Sequence, residues 1–188
     1  NCLDWICSIT NTSIRETLKN VEKYFNDPNL VSNSSFFLPY LSGERTPHND
    51  PHIRGSFHAM KTTTDATNLQ YAVIEGVSFG ILDGVNSILK VNDNFDKIFM
   101  VGGGSRSSFW IELIASLLQR NLSVCDQSEY GAALGVARLA MHVDNNIKDQ
   151  NNIIKEIKIS KEYKPKIDSI DLLKKRYTIW KDLYSSNK

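Results

Sequence analysis

The sequence predicts an α/β fold in which helices and short strands alternate within one domain. Three observations support this prediction: a helical stripe of apolar residues between positions 66 and 90, a buried strand that ends in three glycines, and a helical pattern directly after those glycines. The composition agrees, because 188 residues, of which 41% are hydrophobic and 23% charged, are enough to bury one sizeable core.

The first part of the chain is expected to form two helices and two short strands. Apolar residues within positions 3–7 share one helical face, and a second helical pattern covers positions 14–25. The apolar run 36–41 is too short for a helix and predicts a short strand that leads into a turn-rich loop. A second short strand is predicted at positions 56–60.

The longest predicted helix runs from Ala66 to Lys90. Apolar residues recur along it at helical spacing, and Gly76, Gly80 and Gly84 lie on the same stripe. Each glycine costs roughly 1 kcal/mol relative to alanine inside a helix. We therefore expect the glycines to let another backbone pack closely against this helix.

Similar patterns predict the remaining elements. They are a buried strand at 97–101, a helix with apolar residues between 109 and 118, a short strand at 121–125, a helix of small residues at 131–141, a charged, Asn-rich linker at 144–152, and a final amphipathic helix with apolar residues between 170 and 184. This order of strands and helices is the basis of the α/β prediction.

The composition also limits the partners. The formal net charge is +1, from 22 basic and 21 acidic residues, which argues against a nucleic acid or a membrane surface as the main partner. No apolar run approaches the ~20 residues of a membrane helix, and the N-terminal residues lack the pattern of a signal peptide. Three cysteines without metal-ligand spacing suit a reducing compartment, so we expect a cytoplasmic protein.

Several polar residues are expected to have ordinary surface or packing roles. The spacing of His48, His52 and His58 suits no standard zinc site, so no metal ligand is assigned. The basic cluster Lys174–Arg176 is expected on the solvent-exposed face of the last helix. Arg106, close to the three glycines, is expected to be an exposed arginine.

The glycines Gly102, Gly103 and Gly104 lie between a predicted strand and a predicted helix. Such a turn can face a phosphate or a nucleotide, because absent side chains let a ligand approach the backbone. In addition, the N–H groups at a helix start attract negative charge. A tight turn that needs positive φ explains a glycine triplet equally well.

Two nucleotide motifs can be compared with this turn. It is not a P-loop, because no Gly-Lys-Ser/Thr follows. It fits a dinucleotide fingerprint in part, since Gly102 and Gly104 stand correctly and Asp126 follows about 20 residues later, but Ser107 replaces the third glycine. A dinucleotide-binding domain of an oxidoreductase therefore remains an alternative.

The segment from Phe37 to His48 contains two prolines, which stiffen its path. Glu44 and Arg45 are expected to pair with other groups of the loop. From the residues alone, this segment predicts a rigid, well-bonded loop.

This segment, followed by Asp50-Pro51 and Arg54-Gly55, also resembles a signature of the FGGY family of carbohydrate kinases. Residues 55–76 are similar to the family's second signature, although Ala59 stands where a glycine is usual. Two further landmarks come in the family's order and spacing. These are Val101–Gly104 with Ser107 and Trp110, which resemble the adenosine motif, and Gly131–Ala137, which resemble the small-residue helix that connects the family's two domains.

The resemblance covers nearly the whole chain, from about Asn1 to Tyr184, and it implies a fold. Members of the family have two actin-like domains of ribonuclease H type, and ATP and sugar meet in the cleft between them. Residues 1–188 then correspond to the C-terminal, nucleotide-binding domain in an N-terminally truncated form, without the first part of that domain and without the N-terminal domain.

The resemblance also implies which residues lie at the nucleotide, which is ATP carried with Mg²⁺. They are Gly102, Gly103 and Gly104 on the adenosine side, and Ser107 and Ser108 near the base or the ribose. Asp4 matches a position close to the nucleotide in related kinases, and a solvated helix residue is the alternative for it.

The reaction implied is phosphorylation of a sugar by ATP. The residue types at positions 43–48 resemble those of kinases for the pentulose D-xylulose more than those for glycerol, gluconate or ribulose. The product implied is D-xylulose 5-phosphate. No Asp or Glu matches the family's catalytic base, so no catalytic residue is assigned. We expect weak nucleotide binding and little or no activity from this chain alone.

Two other interpretations stay open at this stage. One is the dinucleotide-binding domain, which leaves Phe37–His48 unexplained. The other is a non-catalytic remnant that serves as a scaffold or partner domain. The resemblance also leaves open a homo-oligomer.

Overall fold

The computed structural model describes residues 2–91, 97–126, 128–143 and 158–186. The helices in these ranges are α1 (Cys2–Thr10), α2 (Ile14–Phe25), α3 (Pro28–Ser32), α4 (Ala66–Leu89), α5 (Ser108–Leu118), α6 (Gly131–Val143) and α7 (Ile170–Ser186). The strands are β1 (Phe36–Leu38), β2 (Ser56–His58), β3 (Phe99–Met100), β4 (Leu122–Cys125) and β5 (Ile159–Tyr163). The predicted alternation of helices and strands is therefore confirmed, whereas the predicted linker 144–152 lies outside the described residues.

The described strands form two small sheets. β1 pairs antiparallel with β2, and the second sheet has the order β3-β4-β5, with β3 parallel and β5 antiparallel to β4. Four of the five residues of β5 are exposed and only Tyr163 is buried. The sequence patterns missed this strand, because its pairing with β4 and not an apolar pattern makes it a strand.

The strand predicted at 97–101 is shorter and less buried than expected. Only Phe99 and Met100 are in β3, both are half-buried, and Val101 is 57% exposed. β3 lies at one edge of the described sheet, so the sheet covers it from one side only.

α4 is the central helix, and it packs against α1, α2, α5 and β1. By length and composition it is also a helix that could cross a membrane, the single such helix in the described part of the chain. The expectation that no apolar run reaches that length is therefore wrong. In this fold α4 buries Tyr71, Val73, Ile74 and Phe79 completely, as the core helix of a folded domain does.

A buried ion pair joins α4 to α7. Arg176 donates from Nε to Oε1 of Glu75 and from a terminal nitrogen to Oε2, both at 2.6 Å. The same guanidinium donates to the carbonyl oxygens of Ser34 and Ser35, at 3.2 and 3.1 Å, and lies over the ring of Phe36. Glu75 is 0% and Arg176 3% exposed, so the predicted solvent exposure of this arginine is wrong.

The location of Glu75 determines the charge state of this pair. Burial by itself lowers the pKa of Arg176, but the adjacent Glu75 carboxylate outweighs that effect, and the net shift of the pKa is upward. Arg176 therefore stays charged. Since both carboxylate oxygens and three guanidinium nitrogens have partners, the desolvation cost of the pair is offset by direct contacts.

The backbone of β1 comes very close to α4 beside this pair. A Cβ atom built on Gly76 would overlap the carbonyl oxygen of Phe37, and that oxygen accepts a 2.8 Å hydrogen bond from Nε1 of Trp180. The close approach expected of the helix glycines is thus confirmed at Gly76. A Cβ on Gly84 would meet nothing within 4 Å, so that glycine has no such role among the described residues.

The loop between β1 and β2 is well bonded, as predicted. One carboxylate oxygen of Glu44 accepts from the amides of His48 and Asn49, at 2.8 and 3.1 Å. The ring of His48 stacks on Tyr184 with centroids 3.7 Å apart, and its Nε2 lies 3.2 Å from a carboxylate oxygen of Asp83. His48 therefore docks the loop onto α4 and α7.

We expect Gly76→Ala to lower the free energy of unfolding by about 1–3 kcal/mol, because the added methyl group must displace the backbone of β1. Gly84→Ala is the matched control. It should leave stability unchanged or raise it by up to about 1 kcal/mol through better helix propensity. Urea denaturation of the two variants measures the difference, and equal effects at the two positions would contradict the packing described.

We also expect Arg176→Met to lower the free energy of unfolding by about 3–5 kcal/mol, because it leaves the Glu75 carboxylate buried without a partner. Lys175→Met, one residue away on the exposed face of α7, should change it by less than about 0.5 kcal/mol. The double variant Glu75→Met with Arg176→Met should recover part of the loss, since no buried charge remains. A single variant as mild as the control would show that the ion pair is not what fixes α7.

Candidate functional site

The candidate site is the turn between β3 and α5. The strand ends at Met100, a short 3₁₀ helix covers Gly103–Arg106, and α5 begins at Ser108. β3 and β4 are parallel neighbours, so the turns that follow them lie at the same edge of the sheet. Ligands of α/β proteins bind outside the carboxyl ends of parallel strands.

Gly102 has a backbone conformation that favours glycine, with φ 83° and ψ −171°. Its N–H donates to the carbonyl oxygen of Ser128 at 2.9 Å. Its own carbonyl oxygen accepts from the hydroxyl of Ser105 at 2.7 Å and from the amide of Ser105 at 3.1 Å. The need for positive φ therefore explains the glycine at this one position of the triplet.

Among the described residues, nothing of this kind explains Gly103. Its φ is not in the left-handed region, and a Cβ built on it would meet no atom within 4 Å. Gly103 is exposed, and as the first residue of a 3₁₀ helix its N–H has no acceptor within that helix. An open backbone at the positive end of a helix suits an electron-rich ligand that comes close to the chain.

Gly104 lies over the indole ring of Trp110. A Cβ on it would be 3.8 Å from two ring atoms of Trp110. The indole Nε1 of Trp110 donates to the hydroxyl of Ser78 at 2.9 Å, and that hydroxyl donates to the carbonyl oxygen of Ile74 at 2.7 Å. The glycine turn is thus supported from α4 through one tryptophan.

Both predicted serines have partners within the protein. The hydroxyl of Ser107 caps α5 and accepts from the amide of Trp110 at 3.4 Å. The hydroxyl of Ser108 lies 3.0 Å from that of Tyr163 on β5, and Ser108 itself is exposed. The structure places both serines on the same turn as the three glycines.

A second turn, Ser128–Tyr130, packs against the glycine turn. The hydroxyls of Ser105 and Ser128 are 2.8 Å apart, and Arg106 forms a 3.2 Å ion pair with Glu129. Arg106 is exposed as predicted. Sequence reasoning missed Ser105 and Ser128; the position of residue 128, just past the strand next to β3, is the signal that could have indicated it.

Asp4 and the glycine turn have different neighbours. Asp4 is exposed on α1, a helix that packs through Ile6 against Phe37 and Val73. The glycine turn instead reaches α4 at Ser78 through Trp110. The assignment of Asp4 to the nucleotide stays a prediction.

The structure around Asp126 fits both nucleotide interpretations. Asp126 is exposed directly after β4, and its amide pairs with the carbonyl oxygen of Lys158 at 3.3 Å. A dinucleotide fingerprint needs a strand, a glycine turn, a helix and a parallel strand that ends in an acidic residue. Since β3, α5 and β4 provide that order, the local geometry does not separate the alternatives.

Comparison with known proteins separates them. Residues 1–143 match the FGGY family of carbohydrate kinases, C-terminal domain. The chain is 29% identical over 187 residues to the xylulose kinase of Escherichia coli (strain K12), which is 98% of this chain and 37% of that protein. The chain thus spans little more than a third of the length of the curated relative.

Solved structures agree with the fold prediction. A crystal structure of a xyloylose kinase from Brucella ovis matches with a TM-score of 0.82 and 31% identity, over 98% of this chain and 37% of that one. The glycerol kinase of Plasmodium falciparum, solved with ADP, matches with a TM-score of 0.71 and 16% identity, over 98% and 36% of the two chains. The prediction of an α/β fold of the actin-like type is confirmed.

Proposed function

We propose, since this chain belongs to the FGGY family of carbohydrate kinases, that it forms the nucleotide-binding side of an enzyme that transfers a phosphoryl group from ATP to a sugar. The observation that carries the proposal is the glycine turn, where no described residue lies close enough to Gly103 to require a glycine. The family match includes this turn, because residues 102–104 lie within the matched range.

In this proposal the three glycines lie along the adenosine side of ATP. The N–H groups at the start of the 3₁₀ helix face the nucleotide, and Trp110 holds the turn from below. Ser107 and Ser108 lie near the base or the ribose, and each must also keep or exchange its partner within the protein. Asp4 is proposed near the nucleotide on the strength of the resemblance alone.

Phosphoryl transfer needs more than this chain is proposed to supply. The sugar hydroxyl must be aligned with the γ-phosphate, and a base must accept its proton. Mg²⁺, which arrives with the nucleotide, neutralises phosphate charge during the transfer, and no residue of this chain is assigned to it. We assign the base and the sugar contacts to further polypeptide and expect this chain to be inactive by itself.

The surface of α6 supports the presence of a covering domain. Val136, Leu139 and Val143 are 67%, 69% and 76% exposed, and their spacing puts them on one face of α6. Exposed apolar residues that share one face are typical of a surface that another protein element covers. Residues 1–188 are therefore proposed as part of a C-terminal domain that packs against a second domain through this face.

The sugar proposed is D-xylulose, converted to D-xylulose 5-phosphate. The relatives from Escherichia coli and Brucella ovis carry that specificity in their names. We also propose a cytoplasmic location, because the three cysteines are free thiols and free thiols persist in a reducing compartment.

Titration calorimetry with Mg·ADP, and separately with NAD, tests the nucleotide site. We expect this chain to bind ADP and not NAD, and we expect Gly103→Val to weaken ADP binding at least tenfold, about 1.4 kcal/mol, because the side chain fills the space left for the ligand. Gly84→Ala, a glycine on α4 with equally open surroundings, is the control and should bind ADP as the unchanged chain does.

Three results would count against the proposal. Binding of NAD without ADP would favour the dinucleotide-binding interpretation. Equal ADP affinity of Gly103→Val and the control would show that the nucleotide does not approach this turn. Turnover of D-xylulose and ATP by this chain alone would contradict the assignment of the base to further polypeptide.

A further inference from the structure

The glycine turn and the segment 128–131 contact each other at four points, although more than twenty residues separate them along the chain. The N–H of Gly102 donates to Ser128, and the hydroxyls of Ser105 and Ser128 are in contact. The other two contacts are the ion pair of Arg106 with Glu129, and the packing of Gly131 against Val101, where an added Cβ would be 3.3 Å from the Cβ of Val101.

The direction of the serine hydrogen bonds follows from proton counting. A serine hydroxyl has one proton to donate, and that of Ser105 points to the carbonyl oxygen of Gly102 at 2.7 Å. In the contact with Ser128, Ser105 is therefore the acceptor and Ser128 the donor. The result is a relay in which Ser128 donates to Ser105, and Ser105 donates to Gly102.

This relay is buried. Ser105 and Ser128 are both 7% exposed, so water reaches neither hydroxyl easily. Hydrogen bonds in a chain strengthen one another, and a buried group that loses its partner is costly. The relay therefore constrains the carbonyl group of Gly102, and the N–H of Gly102 is held separately by the backbone carbonyl oxygen of Ser128.

We propose that Ser128 is a positioning residue for the nucleotide, and that it acts by holding Gly102 so that the exposed amide of Gly103 keeps the direction a ligand needs. Its role is separate from that of Ser107 and Ser108, which lie on the glycine turn itself. This inference rests on the proposed function, because the turn that Ser128 holds in place is the proposed nucleotide site.

The relay also connects the nucleotide turn to α6. Ser128–Tyr130 leads without a break into α6 at Gly131, and α6 carries the exposed apolar face.

The test uses the complete protein that contains this chain, with Mg·ADP as the probe. We expect Ser128→Ala to weaken ADP binding about fivefold to tenfold, the factor that corresponds to one lost hydrogen bond. Amide hydrogen exchange in the peptide 102–108, followed by mass spectrometry without ligand, should quicken by a similar factor. Ser128→Thr keeps the hydroxyl and should restore both quantities to within about twofold of the unchanged protein.

Ser160→Ala is the control, because Ser160 also donates to a backbone carbonyl, that of Val124, but lies on β5, which does not pair with β3 in the described sheet. It should change neither quantity. In steady-state kinetics, Ser128→Ala should raise the KM for ATP and leave kcat nearly unchanged, a split that general loss of folded protein does not produce. If Ser128→Ala does not fold, Ser105→Ala removes the same relay from its other end.

The outcomes separate the inference from the proposed function. Unchanged hydrogen exchange in Ser128→Ala would overturn the inference whether or not the protein binds ADP. Faster exchange with unchanged ADP affinity, in a protein that does bind ADP, would overturn it as well. Failure of the unchanged protein to bind ADP would count against the proposed function, and the exchange experiment would still show whether Ser128 shapes the turn.

Discussion

The ion pair of Glu75 with Arg176 is the constraint on which much of the structure depends. It lies almost wholly out of solvent, and a buried charge without a partner costs several kcal/mol. The pair is therefore satisfied only when α4, α7 and the carbonyl groups of Ser34 and Ser35 come together in one arrangement. This requirement fixes the last helix against the centre of the domain.

The next residues of α4 extend the constraint toward the candidate site. Gly76 lets the backbone of β1 lie directly on the helix, and Trp180 on α7 holds that backbone by its carbonyl group. Two residues further, Ser78 binds Trp110, which supports the glycine turn. Within about one turn of helix, α4 thus contributes to the core, to the anchoring of α7 and to the support of the glycine turn.

The candidate site combines a fixed scaffold with an open surface. Both polar groups of Gly102 are bonded within the protein, whereas Gly103 presents its backbone to solvent. A site that binds one face of a ligand needs this combination, because the donors must be held in place before the ligand arrives. The other face of the ligand is left to the polypeptide that, in our proposal, also covers α6.

Local sequence patterns predict a good part of the fold and of the candidate site. The apolar stripe of α4 and the strand, glycine turn and helix around Gly102 were readable because helical periodicity and the conformational demands of glycine act over a few residues. The order of the motifs was specific enough to indicate the family. By contrast, no local pattern indicates that the helix glycine against β1 is Gly76 and not Gly84.

Only the tertiary structure decided which polar residues are buried and which segments pair. Lys174, Lys175 and Arg176 look alike in sequence, yet Arg176 alone meets a buried carboxylate, 101 positions away. β5 is a strand because β4 offers it an edge, and its own residues are mostly charged or exposed. Ser128 reaches Gly102 because β3 and β4 are parallel neighbours. In each case the determining partner is distant along the chain, and periodicity or residue type cannot indicate it.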